Sequence, residues 1–324
     1  YSYFCSGMTM FSSMNDFKNE ADKPAKADSY IYEPREDCDI VPPDAKERPR
    51  LWRLTLMIDS EALSAVIYST VEDSSLRHIR IALDQSATNK EKALEDAVYS
   101  HPFLLSDFGR VDCVVCTERF TLLPSEIASD TDTVEAACRL AGLTAADSPD
   151  EECNAALHAD TPSVAGACVT WAIDENIDRF IARTFRNPSL RHHLTPMLQY
   201  FGAKTAAGNT SKAYVHLSKG SRQNRADIML FRSDGRPASV SSLTFDNMED
   251  VTYHVLAAAR DAGMDTAGDQ FMLCGDSTLR ENLTQSLRRF ATYVMPVIFP
   301  SALFRAGRDA VDAPFPLVIL PLCE

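Results

Sequence analysis

A chain of 324 residues, 45% hydrophobic and 24% charged, has an ordinary globular composition and a length that suggests about two domains. Its net charge of −14 repels phosphate backbones, so nucleic acid is not an expected partner. No apolar run reaches the roughly 20 residues that cross a bilayer, since the longest runs, 293–299 and 314–322, are short and broken by proline. Nine cysteines, an odd count at irregular spacing, favour free thiols in a reducing compartment. Cys113 and Cys116 form a CxxC inside the apolar run 111–116. Positions three apart on a strand face opposite ways, so the pair reads as buried filler and not as a metal or redox site.

The first 50 residues carry dense charge and five prolines, Pro24, Pro34, Pro42, Pro43 and Pro49, and develop no apolar period. They read as a disordered or loosely attached tail. From residue 51 a pattern begins. Trp52, Leu54, Leu56 and Ile58 alternate with more polar residues as in a half-buried strand, and Asp59-Ser60-Glu61 turns the chain into a second strand at 63–69. A third follows at 76–83. Leu94, Ala97, Val98 and His101 mark one stripe of a helix over 89–101, and an apolar strand at 111–116 runs on towards Phe120 and Pro124. Then come a helix over 133–141 that opens on Asp132-x-x-Glu135, strands at 153–158 and 166–171, and helices over 174–186 and 195–204. Arg191-His192-His193 between these helices reads as a surface loop.

The order then recurs. Strands are expected at 212–217, 226–232 and 238–245. A helix over 248–262 follows, then a strand at 270–274. A helix over 278–290, opening on Thr278-x-x-Glu281, turns Leu279, Leu283, Leu287 and Phe290 inward, and a strand at 292–299 follows. Matching elements hold an offset of about 160 residues, the mark of an internal duplication. Each half is a three-strand antiparallel meander, then helix, strand, helix, strand. That is a ribonuclease-H-like lobe. The fold class is therefore α/β, with two tandem ribonuclease-H-like lobes in the actin-like ATPase architecture. The tail spans 1–50, the first lobe 51–208 and the second 209–324. A pair of unrelated α+β domains is the rival arrangement.

In such a fold a nucleotide would sit between the lobes, gripped by the first hairpin of each. Backbone N–H groups reach phosphate oxygens only where glycine removes the Cβ. The first hairpin, 57–63, keeps Asp59 and Ser60 but has no glycine, and Glu61 places a negative charge where phosphates belong. The second, 216–222, offers Ser218, Gly220, Lys219 and Arg222 but no aspartate. The strand at 271–274 runs into Gly275-Asp276-Ser277, with one glycine where an adenosine motif has two. Glycine is scarce overall, 12 of 324 residues, about half the usual ~7%. Asp59, Ser60, Ser218, Gly220, Gly275 and Asp276 are thus candidates for a degenerate nucleotide cleft. No catalytic residue, metal ligand or cofactor is expected, and ATP with Mg²⁺ is the one cofactor candidate. A metal nuclease would need Asp59, Glu91 or Glu95, and Glu118 to converge, and the helix glutamates read more simply as a solvated face. Lys219, Arg222 and Arg225 crowd one hairpin, either as a solvated turn or as an anion or partner site.

The run Phe120-Thr121-Leu122-Leu123-Pro124, the segment Leu273-Cys274-Gly275-Asp276, residues 294–300 leading into Phe304, and the closing stretch 313–324 with its ending Leu322-Cys323-Glu324 carry a resemblance. Over residues 51–324 the chain resembles an uncharacterised bacterial family, a domain of unknown function with an actin-like ATPase fold. The resemblance implies the duplicated fold and a cytoplasmic bacterial protein, and it supplies no catalytic residues. More distantly, the arrangement is similar to actin-like scaffolds of pilus-assembly and secretion machines, which bind partner peptides. The expectation is a non-catalytic scaffold or adaptor, a pseudo-ATPase that holds a protein partner in its inter-lobe cleft or on a strand edge. The alternative is a divergent nucleotide-binding switch or an ATPase or phosphotransferase of the same superfamily.

Overall fold

The computed structural model describes residues 41–324 apart from 70, 72–74, 129, 144–153, 161–165 and 324. Residues 1–40, most of the expected tail, lie outside the described residues. Just ahead of the first strand, α1 (Pro43–Glu47) buries Ala45 beside Val41, and the Trp52 indole N–H donates to Asp44 at 3.2 Å.

The first sheet is built from β1 (Trp52–Ile58), β2 (Ala62–Ser69), β3 (Arg77–Ala82), β4 (Arg110–Val115) and β8 (Ser189–His192), in the order β3-β2-β1-β4-β8. The meander β1-β2-β3 is antiparallel, and β4 and β8 join in parallel through helical crossovers. The intervening elements are α2 (Lys90–Tyr99), β5 (Phe120–Pro124), α3 (Thr131–Leu140), β6 (Ala155–Asp160), β7 (Ala167–Asp174) and α4 (Glu175–Thr184). Strands β5, β7 and β6 make a separate three-stranded sheet, with a small core of Leu123, Val134, Cys138, Leu143 and Ala172.

After α5 (Leu194–Ala206), the plan repeats with β9 (Lys212–Ser218), β10 (Asn224–Phe231), β11 (Pro237–Phe245), α6 (Met248–Asp261), β12 (Gln270–Gly275), α7 (Ser277–Leu287) and β13 (Tyr293–Pro296). The second sheet runs β11-β10-β9-β12-β13, the same topological order as the first. The duplicated α/β architecture expected from the offsets is therefore present, with the β5–α3–β6–β7 segment as an insertion in the first lobe and with β8, which the sequence reading did not expect, as the first sheet's fifth strand.

Side-chain alternation explains how the second sheet joins the first. Ala213, Val215, Leu217, Ile228, Leu230, Phe271 and Leu273 face a core shared with Val251 and Val255 of α6 and Leu283 and Leu287 of α7. The alternate positions Tyr214, Met229, Phe231 and Cys274 face the other way, into the first lobe's core. Helix α5 lies between: Phe201 stacks on Tyr214 of β9 at 4.1 Å and on Phe315 at 5.5 Å. Phe315 opens α9 (Phe315–Ile319), which follows α8 (Arg308–Asp312). Leu317, Val318, Ile319 and Leu320 are buried in the first lobe's core, so the end of the chain packs against the lobe in which the sheet began.

Local chemistry sets most element ends. Asn89, Asp174, Asn247 and Asp276 cap α2, α4, α6 and α7 by accepting backbone N–H groups at 2.7–3.3 Å, worth about 1 kcal/mol each. Three sequence expectations are corrected. The helix starts marked by Asp132 and Thr278 lie within the first turn, because the N-cap positions are Asp130 and Asp276. Phe290 is exposed, because α7 ends at Leu287 and the chain turns before that residue could face inward. Arg191-His192-His193 is no surface loop: His192 closes β8, and both histidines are fully buried.

If α9 completes the first lobe's core, Leu317→Ala lowers stability by about 2–5 kcal/mol. The urea midpoint reports this, and Val311→Ala on the exposed side of α8 leaves it unchanged.

Candidate functional site

A cleft of about 750 Å³ opens between the lobes. One wall comes from the β1–β2 turn, the start of α2, residues 115–119 and the β7–α4 junction. The other comes from residues 218–225 at the β9–β10 turn. The two hairpins meet across it. Asp59 shapes the first turn, its Oδ1 accepting the N–H groups of Glu61 and Ala62, both at 2.7 Å. This aims the Glu61 side chain at the second turn, where its carboxylate accepts the backbone N–H of Ser221 at 2.6 Å and of Arg222 at 3.0 Å. Desolvation alone would raise the Glu61 carboxyl. The two N–H groups, with Arg80 nearby, hold it below the ordinary carboxylate range. Gly220 makes the receiving turn possible, because a Cβ there would stand 2.1 Å from the Gln223 carbonyl oxygen.

Among the six candidate residues, Asp59, Ser60, Ser218 and Gly220 line this cleft. Gly275 and Asp276 are not among its lining residues. Gly275 ends β12 at φ +96°, with its Cβ position only 2.0 Å from the Leu217 carbonyl oxygen, so close strand packing demands glycine there. Asp276 caps α7. Glu91 and Glu95 of α2 pair with Arg183 of α4. Among the described residues no three His, Cys, Asp or Glu side chains gather as a metal-holding group. The Cys113 and Cys116 thiols are both raised by burial, Cys116 to about 12, so neither is a thiolate near neutrality.

Behind the cleft lies a buried network that the sequence reading missed. Asp227, fully buried on β10, accepts His193 Nε2 at 3.0 Å, His216 Nδ1 at 3.0 Å and the Ser242 hydroxyl at 2.7 Å, and Arg225 lies at 3.3 Å. Burial would raise its carboxyl, but Arg225 and His193 hold it well below the usual range. His216, Asp227 and Ser242 form one row across β9, β10 and β11. His193 comes from the first lobe, where its N–H is fixed on the Val115 carbonyl. The signal available in the sequence was an aspartate inside the apolar stretch Ala226–Phe231. A second buried carboxylate, Asp160, accepts the His192 N–H at 2.5 Å, the Trp171 indole at 3.0 Å and the Thr195 hydroxyl at 2.8 Å.

Two duplicated lobes around a cleft closed by their first hairpins define a protein of the actin-like ATPase fold. A crystal structure of a Bacteroides thetaiotaomicron protein with that fold and unknown function superposes with a TM-score of 0.71 at 19% identity, over 86% of this chain and 98% of that one. The chain belongs to the family described as protein of unknown function (DUF3822), which it matches over residues 46–294. The PilM–PilN type IV pilus biogenesis complex (TM-score 0.46, 16% identity, 85% of this chain and 98% of that one) is more distant in structure. So is the cytoplasmic domain of EpsL of the Vibrio cholerae type II secretion system (0.39, 10%, 82% and 98%). No curated protein matches the sequence. No helix among the described residues is long and apolar enough to cross a membrane.

Asp227→Ala strands Arg225, His193 and His216 without their acceptor and costs about 3–5 kcal/mol, read as a lower denaturant midpoint. The histidines add a pH dependence. Burial holds His78, His192 and His193 below the usual imidazole range, His78 at about 4. Below about pH 6.5 the unfolded chain takes up protons that the folded chain refuses, so stability falls as pH drops from about 6.5 towards 4. Asp227's own contribution persists above about pH 4 and is lost only as pH falls towards its depressed folded value. Denaturant midpoints at pH 7 and pH 5 measure the slope, and His78→Phe makes it shallower.

Proposed function

We propose that this protein is a non-catalytic actin-like scaffold, a cytoplasmic pseudo-ATPase whose inter-lobe cleft receives a segment of a protein partner. The observation that carries the reading is the Glu61 carboxylate seated on the Ser221 and Arg222 N–H groups. Backbone donors on a glycine-bearing turn are what a phosphate needs, and here a side chain of the opposite hairpin already uses them. A triphosphate would first have to displace that carboxylate. It would meet a carboxylate instead of open donors, and the neighbouring Asp59 is committed to its own turn. Acyl or phosphoryl transfer would also need an activated nucleophile or a metal clamp, and the cleft's thiol, Cys116, is held protonated.

The competing reading is a nucleotide-dependent switch of the same fold. A ligand at 100 times its Kd adds about 2.7 kcal/mol to stability. Under the scaffold reading, millimolar ATP with Mg²⁺ leaves the melting temperature unchanged and no phosphate is released. A nucleotide-dependent rise in melting temperature refutes it.

A further inference from the structure

We propose that the Ser221–Arg222 backbone turn is a carboxylate receptor, which Glu61 fills in the resting protein and which an acidic segment of a protein partner takes over on binding. This rests on the scaffold reading and names the chemistry of the partner. The recognition chemistry is already present, since two N–H groups hold a carboxylate at 2.6 and 3.0 Å, and that carboxylate comes from the other lobe.

The charges around the turn favour the same class of occupant. Arg80, Lys90, Lys219 and Arg222 line the cleft with exposed side chains. No described carboxylate is recorded within ion-pair distance of any of the four, whereas Arg50, Arg110, Arg183, Arg186 and Arg225 each stand against a carboxylate. Of the cleft's other carboxylates, Asp59, Asp84 and Asp174 are tied to backbone N–H groups at turns and a helix cap, which offsets their charge where they stand; Glu118 also lines the cleft, with its carboxyl raised by burial against the opposing pull of Arg225. The chain as a whole carries −14. An acidic segment is therefore repelled by the general surface and accepted only where exposed cations and anion-binding backbone donors coincide. Leu83, Leu94, Ile173 and Ile177 supply an apolar wall for side chains between the acidic ones.

Glu61 can leave without unmaking its hairpin. The turn is held by Asp59 Oδ1 and by the Asp59 N–H on the Ala62 carbonyl, neither of which involves the Glu61 side chain. Glu61 is thus an internal competitor: it satisfies the receptor and joins the lobes when no partner is bound, and it weakens partner binding by the strength of its own contact.

The test uses the full chain and a fluorescein-labelled peptide of alternating Glu and Leu, read by anisotropy, beside the same peptide with Gln for Glu. The Glu peptide binds saturably, and the Gln peptide binds at least about tenfold more weakly. Glu61→Gln keeps the side chain's shape, removes its charge and tightens the Glu peptide. Lys219→Glu with Arg222→Glu, both at exposed positions, weakens it by about tenfold or more. Equal binding of the two peptides, or looser or unchanged binding by Glu61→Gln, overturns the proposal. No peptide binding, with no thermal shift by ATP and Mg²⁺, overturns the assignment of an acidic partner and leaves the scaffold reading standing. A thermal shift by ATP and Mg²⁺ removes the scaffold reading and this proposal with it.

Discussion

The carboxylate of Asp227 constrains everything around it. A fully desolvated anion on a central strand is costly unless several donors surround it. Two donors come from its own sheet, in the same cross-strand row: His216 on β9 and Ser242 on β11. The third, His193, belongs to the other lobe and sits at the entrance to α5. The second lobe therefore satisfies its buried charge only when the first lobe stands in one position. The N–H of that same His193 is fixed on Val115 at the end of β4, so the position is set by the first sheet itself. Packing reinforces the polar tie. Tyr214, Met229, Phe231 and Cys274 on the same face of the second sheet are buried in the first lobe's core, and Phe201 of α5 stacks between Tyr214 and Phe315.

Glu61 makes the complementary connection at the solvent end. The first lobe sends a histidine into the second at the floor of the cleft and a carboxylate into it at the mouth. The two ties differ in kind. Asp227 is buried among several partners, and breaking it leaves uncompensated charge in the interior. Glu61 is partly exposed, and its two N–H partners can turn to water. The floor is therefore the fixed end, and the mouth is the end that can open at modest cost.

Much of the fold was legible in the sequence because period-two alternation and one repeated offset do not depend on tertiary context. Lys212–Ser218 and Asn224–Phe231 read as strands from their own side chains, within the meander that each half repeats. What escaped depended on register or on long-range burial. Strand β8 is four residues long and carries Arg191 and His192, which locally look like solvated surface. It is a strand because β4 offers a parallel edge and Asp160 accepts the His192 N–H. Asp227 gave a local hint, but its meaning needs the pairing that sets it opposite His216 and Ser242, and the helix start that brings in His193. At the cleft, Glu61 was visible as a charge in the wrong place for phosphate. That its carboxylate would find the opposite turn, about 160 residues on, follows only from both hairpins being placed.

The glycines that remain are informative by where they sit. Gly220 and Gly275 are both fixed by backbone carbonyls that leave no room for a Cβ, Gln223 in one case and Leu217 in the other. Each is explained by how the second lobe's own chain must turn, without any ligand. Gly220 has a further consequence, because the turn it permits points the Ser221 and Arg222 N–H groups across the cleft. An anion-receiving turn can therefore stand for purely structural reasons opposite a first hairpin that carries no glycine. The Glu61 carboxylate keeps those donors satisfied and the two lobes in contact.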